Sequence, residues 1–487
     1  QRAGVAVPDR LLARRGGVDV VQRQRDFDEF FRGFDGVHLG SIPGSGAEQD
    51  KAVRLGDGVG QLAGAQLVLA DDQMAIGHPL QLGIKGHRIE RTGPEGSTVY
   101  TYNALNQLQG ITPSAATPTT AVVSRAGRLS ALEHANGTRT EVSRDSAGRI
   151  RQLRHALGAA ALLTLGYTLD ANGHRVAETW ERSGERIEIA YELDLAERLK
   201  AVTTAGERVE YTLDRVGNRI AETHPGGLLR THEYDLRDRL TETQDNGQVV
   251  ASYDYDLAGR QTTHTAGGVT REYQYDTQDR LLGVSQGGVP IVRYESDAFG
   301  QRSLREAGGQ VEQYQWDGTK LAGRTNATGT SLGDYQYAYG WAISSREGAV
   351  RSTLHTDVHG TPQLITDGTA AIAGWTRTDV WGVEKAQNGA QSRLGHTGYL
   401  KDPLLGDELY AQARQYRAGV GRFTSRDEWQ GDNLNPITLN KYLYANGNPG
   451  SFIDPDGRTA ELLAAQEKLA AFRNRGVTGF TAAKMGV

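Results

Sequence analysis

An all-β fold is predicted for this chain of 487 residues: a spiral of antiparallel β-hairpins forming an incomplete shell or barrel, with one short helix near the carboxy terminus. Three observations predict it. A Tyr/Leu-Asp-x-x-Gly-Arg signature recurs with its aspartates at 145, 170, 194, 214, 235, 256, 276, 297 and 317, at gaps of 20 to 25 residues. So regular a period means one structural unit copied along the chain. Ahead of the aspartates the sequence alternates, as in Ile187, Ile189, Tyr191 and Leu193 with Glu188, Ala190 and Glu192 between them, which is the period of a half-buried strand. After them come turn sequences such as Asp-Leu-Ala-Gly-Arg at 256–260, where an aspartate bonds backbone two residues on and glycine takes positive φ.

Each period of about 20 residues therefore holds two strands of ordinary length and two turns. An isolated hairpin is marginal in water, so successive hairpins must pair and the sheet must coil or close to bury its apolar face and limit its edges. A fibre or surface stalk with the same repeats is the competing architecture.

Composition suits a β-rich chain. Net charge is −5, and 54 basic and 59 acidic residues are interspersed, so no basic stripe argues for nucleic acid. Cysteine is absent, which removes disulfides and thiol catalysis. The longest apolar stretch, near Ala156 to Leu165, is too short to span a bilayer, and no signal peptide is recognisable.

The first hundred residues differ. All 20 tyrosines and all 6 tryptophans fall at or after Tyr100, whereas four of the nine phenylalanines cluster at Phe27, Phe30, Phe31 and Phe34. Residues 1–93 carry no Tyr-Asp unit, and the first residue is Gln. The expectation is a fragment whose leading segment is poorly ordered or out of the native frame, with an independent amino-terminal domain as the alternative.

Units such as Tyr234-Asp235-Leu236-Arg237-Asp238-Arg239-Leu240 and Tyr275-Asp276-Thr277-Gln278-Asp279-Arg280-Leu281 resemble the Rhs/YD-repeat family, which includes the C components of bacterial Tc toxins and, more distantly, the teneurins. Matching units cover roughly residues 98 to 320. Beyond them, Leu354-His355-Thr356-Asp357-Val358-His359-Gly360-Thr361-Pro362 is similar to a segment found near the end of the family's repeats. Two imidazoles in a strand or turn are too few for a metal site, so none is expected at His355 and His359.

Four later elements resemble the Rhs repeat-associated core: Ala413-Arg414-Gln415-Tyr416, Gly421-Arg422-Phe423 before Asp427, Tyr442-Leu443-Tyr444-Ala445-Asn446-Gly447-Asn448-Pro449, and Asp454-Pro455-Asp456-Gly457. The resemblance implies an aspartyl autoprotease that cuts just after the last element and frees a carboxy-terminal toxin inside the shell. Arg414, Asp427 and Asp454 match the family's arginine and two catalytic aspartates, and cleavage is expected at Gly457, Arg458 or Thr459. Two neighbouring carboxylates resist ionising together, so one keeps a proton to polarise the scissile carbonyl while the other activates water. Arg414 could orient a carboxylate or hold the oxyanion. Two departures stand out: Asp427-Glu428-Trp429-Gln430-Gly431 lacks the usual proline, with extra length before Asp454, and Arg458 replaces an apolar residue.

The expected organisation is thus a leading segment (1–93), a repeat shell (94–390), a core acting as plug and protease (391–457) and a variable segment cut short (458–487). In the last, Thr459 to Asn474 has the spacing of an amphipathic helix stopped by Gly476. The resemblance further implies a bacterial protein, secreted or at the cell surface, with its own toxin segment, an immunity protein and a secretion apparatus or toxin-complex subunit as partners, and no cofactor. The rival function is non-enzymatic, a surface protein that binds carbohydrate or a partner cell.

Overall fold

The computed structural model describes residues 67–69, 80–82, 88–93, 96–114, 117–124 and 127–462. The expectation for residues 1–93 falls almost wholly outside these. Among the described residues, 31 strands make one antiparallel sheet in which each strand pairs with its neighbours in sequence, out to the last strand at Glu384–Gly389. Alternation sets the faces as expected: Ile187, Ile189 and Tyr191 are buried, and Glu188, Ala190 and Glu192 between them are exposed.

The repeated aspartate closes each turn. In the turn that starts at Asp256, its carboxylate accepts the Arg260 backbone N–H at 2.9 Å and the Arg260 Nε at 2.6 Å, and Gly259 lies at φ +87°. Glu197, Asp238 and Asp279 hold the same left-handed position with φ of 60° to 63°, so the turn tolerates side chains there. The arginine then reaches onward. Arg260 Nη1 donates to the Asp276 carbonyl at 2.7 Å, and its guanidinium lies 5.4 Å from the ring centre of Tyr275. Arg149, Arg198, Arg239 and Arg280 donate in the same way to the carbonyls of Asp170, Asp214, Asp256 and Asp297. Each such arginine ties its own hairpin to the next. Arg260→Ala is expected to lower unfolding free energy by about 1–3 kcal/mol, the range for hydrogen bonds to charged groups, measured by urea denaturation.

Late strands return to early ones. Asn136 donates to the Asp367 carbonyl at 2.8 Å, Tyr339 to the Leu108 carbonyl at 2.8 Å, and the rings of Trp180 and Trp375 lie 5.7 Å apart. The sheet therefore overlaps itself, with residues 88–180 packed against 317–375.

A second, four-stranded antiparallel sheet follows, at Leu400–Lys401, Glu408–Ala411, Arg414–Arg417 and Arg422–Phe423. It sits on the arc of hairpins between about 218 and 320. Leu405 packs into the cluster of Tyr273, Val284, Val292 and Tyr294, and buried Asp402 accepts Arg305 Nε at 2.7 Å. Among the described residues no helix is long and apolar enough to cross a membrane.

The helix expected from Thr459 does not start there. Glu461–Leu462 is extended and pairs antiparallel with Phe452–Ile453, so an available strand edge prevails over local helix propensity. The remainder of that stretch, to Asn474, lies outside the described residues.

Candidate active site

Arg414 begins the third strand of the small sheet, and its buried guanidinium gathers the other residues of interest. Its face lies 3.6 Å from the ring centre of Phe423, which fixes its plane. Its Nη2 is 2.9 Å from Asp427 Oδ2 and 3.4 Å from Asp454 Oδ2, its Nη1 donates to the Lys441 carbonyl at 3.0 Å, and its Nε donates to the Gly457 carbonyl. The two aspartates singled out in the sequence thus share the third residue, the Arg414 cation, and that cation touches the backbone where cleavage is expected.

The departures around Asp427 do not pull it away. Its carboxylate caps its own turn by accepting the Trp429 N–H at 2.9 Å. The additional residues loop out, with a 3-10 turn at Pro436–Leu439, and the Asp427 N–H to Lys441 carbonyl bond at 3.0 Å closes the base of that loop. Asp427 and Asp454 therefore reach Arg414 despite the extra length.

Asp454 is buried, and its turn is bound on both sides. Tyr399 donates its hydroxyl to the Asp454 carbonyl, and the Asp456 carbonyl accepts the Ala413 N–H at 3.1 Å. Asp454 Oδ1 accepts the backbone N–H groups of Arg458 at 2.9 Å and Thr459 at 3.1 Å. Gly457 lies at φ +72°, where a Cβ would stand 2.2 Å from the Ala411 carbonyl oxygen, so only glycine fits.

Burial raises the Asp454 carboxyl to about 7, against the pull of Arg414 and with added repulsion from Asp456. This differs from the expected pairing of two catalytic carboxylates. The nearby negative charge that raises it is Asp456, while Asp427 and Asp454 both reach the same Arg414 Nη2. One carboxyl close to half protonated at neutral pH and one carboxylate paired to a guanidinium nevertheless provide an acid and a base.

Asp427, Arg414, Gly457 and Arg458 line a cleft of about 380 Å³, whose far wall is Asp279, Arg280 and Phe299 of the hairpins. Tyr399, Phe423, Lys441 and Asp456 escaped the sequence reading as parts of this site. Phe423 lay inside a recognised motif, but nothing in the pattern marked Tyr399.

His355 and His359 do not share an environment. His355 packs against the rings of His134 and His155, with centres 5.2 and 5.0 Å away, whereas His359 bonds Arg175 and the Pro449 carbonyl. Among the described residues no group of three or more His, Asp or Glu is placed to hold a metal ion.

The teneurin YD-shell family model matches residues 121–450. The chain is 29% identical over 138 residues to the tRNA3(Ser)-specific nuclease WapA of Bacillus spizizenii, covering 27% of this chain and 6% of that protein. It is 32% identical over 107 residues to the tRNA nuclease WapA of Bacillus subtilis, covering 21% of this chain and 4% of that one. Among solved structures, it is similar to the TcdB2-TccC3 complex with a TM-score of 0.59 and 17% identity, covering 78% of this chain and 22% of the other. The Tc holotoxin pore of Photorhabdus luminescens gives a TM-score of 0.59 and 17% identity, with 79% and 22% covered. The chain spans less than a quarter of each of these proteins. With more than half its length matched by the family model and the repeat fold present strand by strand, the chain belongs to the YD-repeat shell family typified by the teneurin YD-shell.

Proposed function

We propose that this chain is a toxin-carrying shell whose core cuts the peptide bond between Gly457 and Arg458 and so frees whatever follows. One observation carries the reading: both sides of that bond are held, the Gly457 carbonyl by Arg414 Nε and the Arg458 N–H by Asp454 Oδ1 at 2.9 Å. Asp427 takes a proton from a water in the cleft, and the hydroxide adds to the Gly457 carbonyl carbon. Arg414 stabilises the oxyanion. Asp454, in its acid form, gives its proton to the Arg458 nitrogen as the C–N bond breaks, leaving a Gly457 carboxylate and an Arg458 amine.

The rest of the reading extends from the family. The cargo is a carboxy-terminal toxin, with the nuclease names of the WapA relatives favouring an enzymatic one, and the setting is interbacterial competition or toxin delivery. Export from a bacterium, an immunity protein and a toxin-complex or secretion partner belong to the same proposal; the Tc complexes of the structural neighbours support the partner.

Intact mass of the purified chain tests the cleavage. A product ending at Gly457 is expected, and a chain that stays whole through prolonged incubation at pH 6 would overturn the reading. Its pH dependence follows from Asp454, whose acid form is lost as pH rises through about 7. Cleavage is therefore expected to be faster below pH 7 and to fall about tenfold per pH unit above it, read by timed mass spectra. Stability has the matching sign. A carboxyl raised on folding binds its proton more tightly in the folded state, so its destabilising effect is complete above about pH 7 and relieved as pH falls towards 3.8.

A further inference from the structure

Between Asp145 and Asp297, five of the eight turns carry the bridging arginine and three do not: His174, Asn218 and Gln301 stand in its place. At each of these three, the core supplies a donor to the next turn. Beyond His174, Asn448 Nδ2 donates to the Glu197 carbonyl at 2.7 Å. Beyond Asn218, Arg422 Nη2 donates to the Asp238 carbonyl at 2.7 Å. Beyond Gln301, whose Nε2 donates to the Gly318 carbonyl at 2.7 Å and to Gln412 Oε1 at 3.2 Å, Gln412 Nε2 donates to the Thr319 carbonyl at 3.0 Å.

The middle case is the most complete. A regular arginine in the hairpins stacks on the tyrosine ahead of the following aspartate, as Arg239 does on Tyr255 at 5.3 Å and Arg260 on Tyr275 at 5.4 Å. Arg422 lies 4.8 Å from the ring centre of Tyr234, the tyrosine that follows Asn218 in the same scheme. Asn218 Oδ1 also accepts Arg422 Nη1 at 2.7 Å and Asn440 Nδ2 at 2.8 Å, two bonds that an arginine there, having only donors, could not accept. Arg422 therefore covers the ring that a ladder arginine would cover, and it bonds the next turn at Asp238, where Asn218 Nδ2 also donates to Oδ1 at 2.9 Å.

We propose that His174, Asn218 and Gln301 form a docking address on the shell rim, read by Asn448, Arg422 and Gln412, which sets where the core seats along the hairpins. The donors meet their gaps in reverse order, so the core runs back along the rim against the direction of the hairpins. An arginine at any of the three positions would spoil the address: a ladder arginine bonds the carbonyl of the next repeat aspartate, as Arg239 bonds Asp256, and it would present a cation where the core places its own donors. The address is independent of peptide cleavage, because it concerns seating rather than chemistry.

Hydrogen exchange on the full-length chain tests it, read segment by segment whether or not the Gly457 bond is cut. Asn218→Arg is expected to speed exchange in core segments 400–423 and 440–457 at least about tenfold, while ladder strands away from the core such as 138–144 keep wild-type protection. The exchange of partners, Asn218→Arg with Arg422→Asn, is expected to bring core protection back to within about threefold of wild type, since each turn again has one arginine. Arg149→Asn, which removes a ladder arginine bonded only to Asp145 and the Asp170 carbonyl, is expected to leave core exchange unchanged. Undiminished core protection in Asn218→Arg overturns the proposal. So does loss of protection throughout the chain that the paired exchange fails to restore.

Discussion

Asp454→Asn should remain one full-length species where the parent chain yields a product ending at Gly457. Asparagine has the same outline, and its carbonyl oxygen can still accept the Arg458 and Thr459 N–H groups now held at 2.9 and 3.1 Å. What disappears is the proton for the leaving nitrogen. Loss of a positioned general acid costs about 10²–10⁴ in rate, enough to turn a reaction of minutes into one of many hours or more. Thermal melting in the same samples separates this from misfolding: replacing a buried, partly ionised carboxyl by an amide should leave the melting temperature at pH 8 equal or higher. A variant that cuts as fast as the parent would remove Asp454 from the chemistry. Asp427→Asn, which leaves Arg414 and the Gly457 contact in place, should slow the same reaction through loss of the base.

The largest change in stability is expected from Glu408→Ala. The Glu408 side chain is wholly inaccessible and that of Arg417 nearly so. Arg417 Nη2 donates to Glu408 at 2.8 Å, Arg417 Nη1 donates to Gln261 at 2.9 Å, and Tyr273 also donates its hydroxyl to Glu408. Removing the carboxylate strands a guanidinium in the interior between the core and the strands at Gln261 and Tyr273. Breaking a buried pair in this way costs about 3–5 kcal/mol, read as a shift in the urea midpoint. Replacing both partners by methionine should recover much of the loss, because no unpaired charge remains. A loss below about 1 kcal/mol in Glu408→Ala would mean that water enters and the network is not sealed.

Much of the fold was legible because its signals are local and repeated. Alternation assigned faces, and the aspartate marked the turns. The onward reach of the arginine was not legible, since it joins groups in different repeats. For the same reason nothing in the repeat pattern marked His174, Asn218 and Gln301 as contacts of the core. At the site, the motifs named Arg414, Asp427 and Asp454, and the structure brings both aspartates to the Arg414 guanidinium. Proximity of two carboxylates suggested why a proton would be kept, yet burial beside Tyr399 and the charge of Asp456 account for it, and burial is not written in a motif. The stretch after Gly457 reads as helix by residue preference, but Glu461 and Leu462 meet the open edge of Phe452 and Ile453.

The overlap of residues 88–180 on 317–375 makes the sheet a scroll with a seam rather than a ring. A ring admits only the strand number that closes it, whereas a scroll can lengthen by whole copies of its hairpin pair and slide the new turn under the old. Capacity can then evolve by duplication of a segment of about 20 residues, with no new closure geometry to discover. The seam would be the part that must be renegotiated, since contacts such as Asn136 with Asp367 and Tyr339 with Leu108 join residues far apart in the chain. If the shell carries cargo as proposed, larger cargoes would call for longer arrays, and their seams should be the fastest-changing surfaces in the molecule.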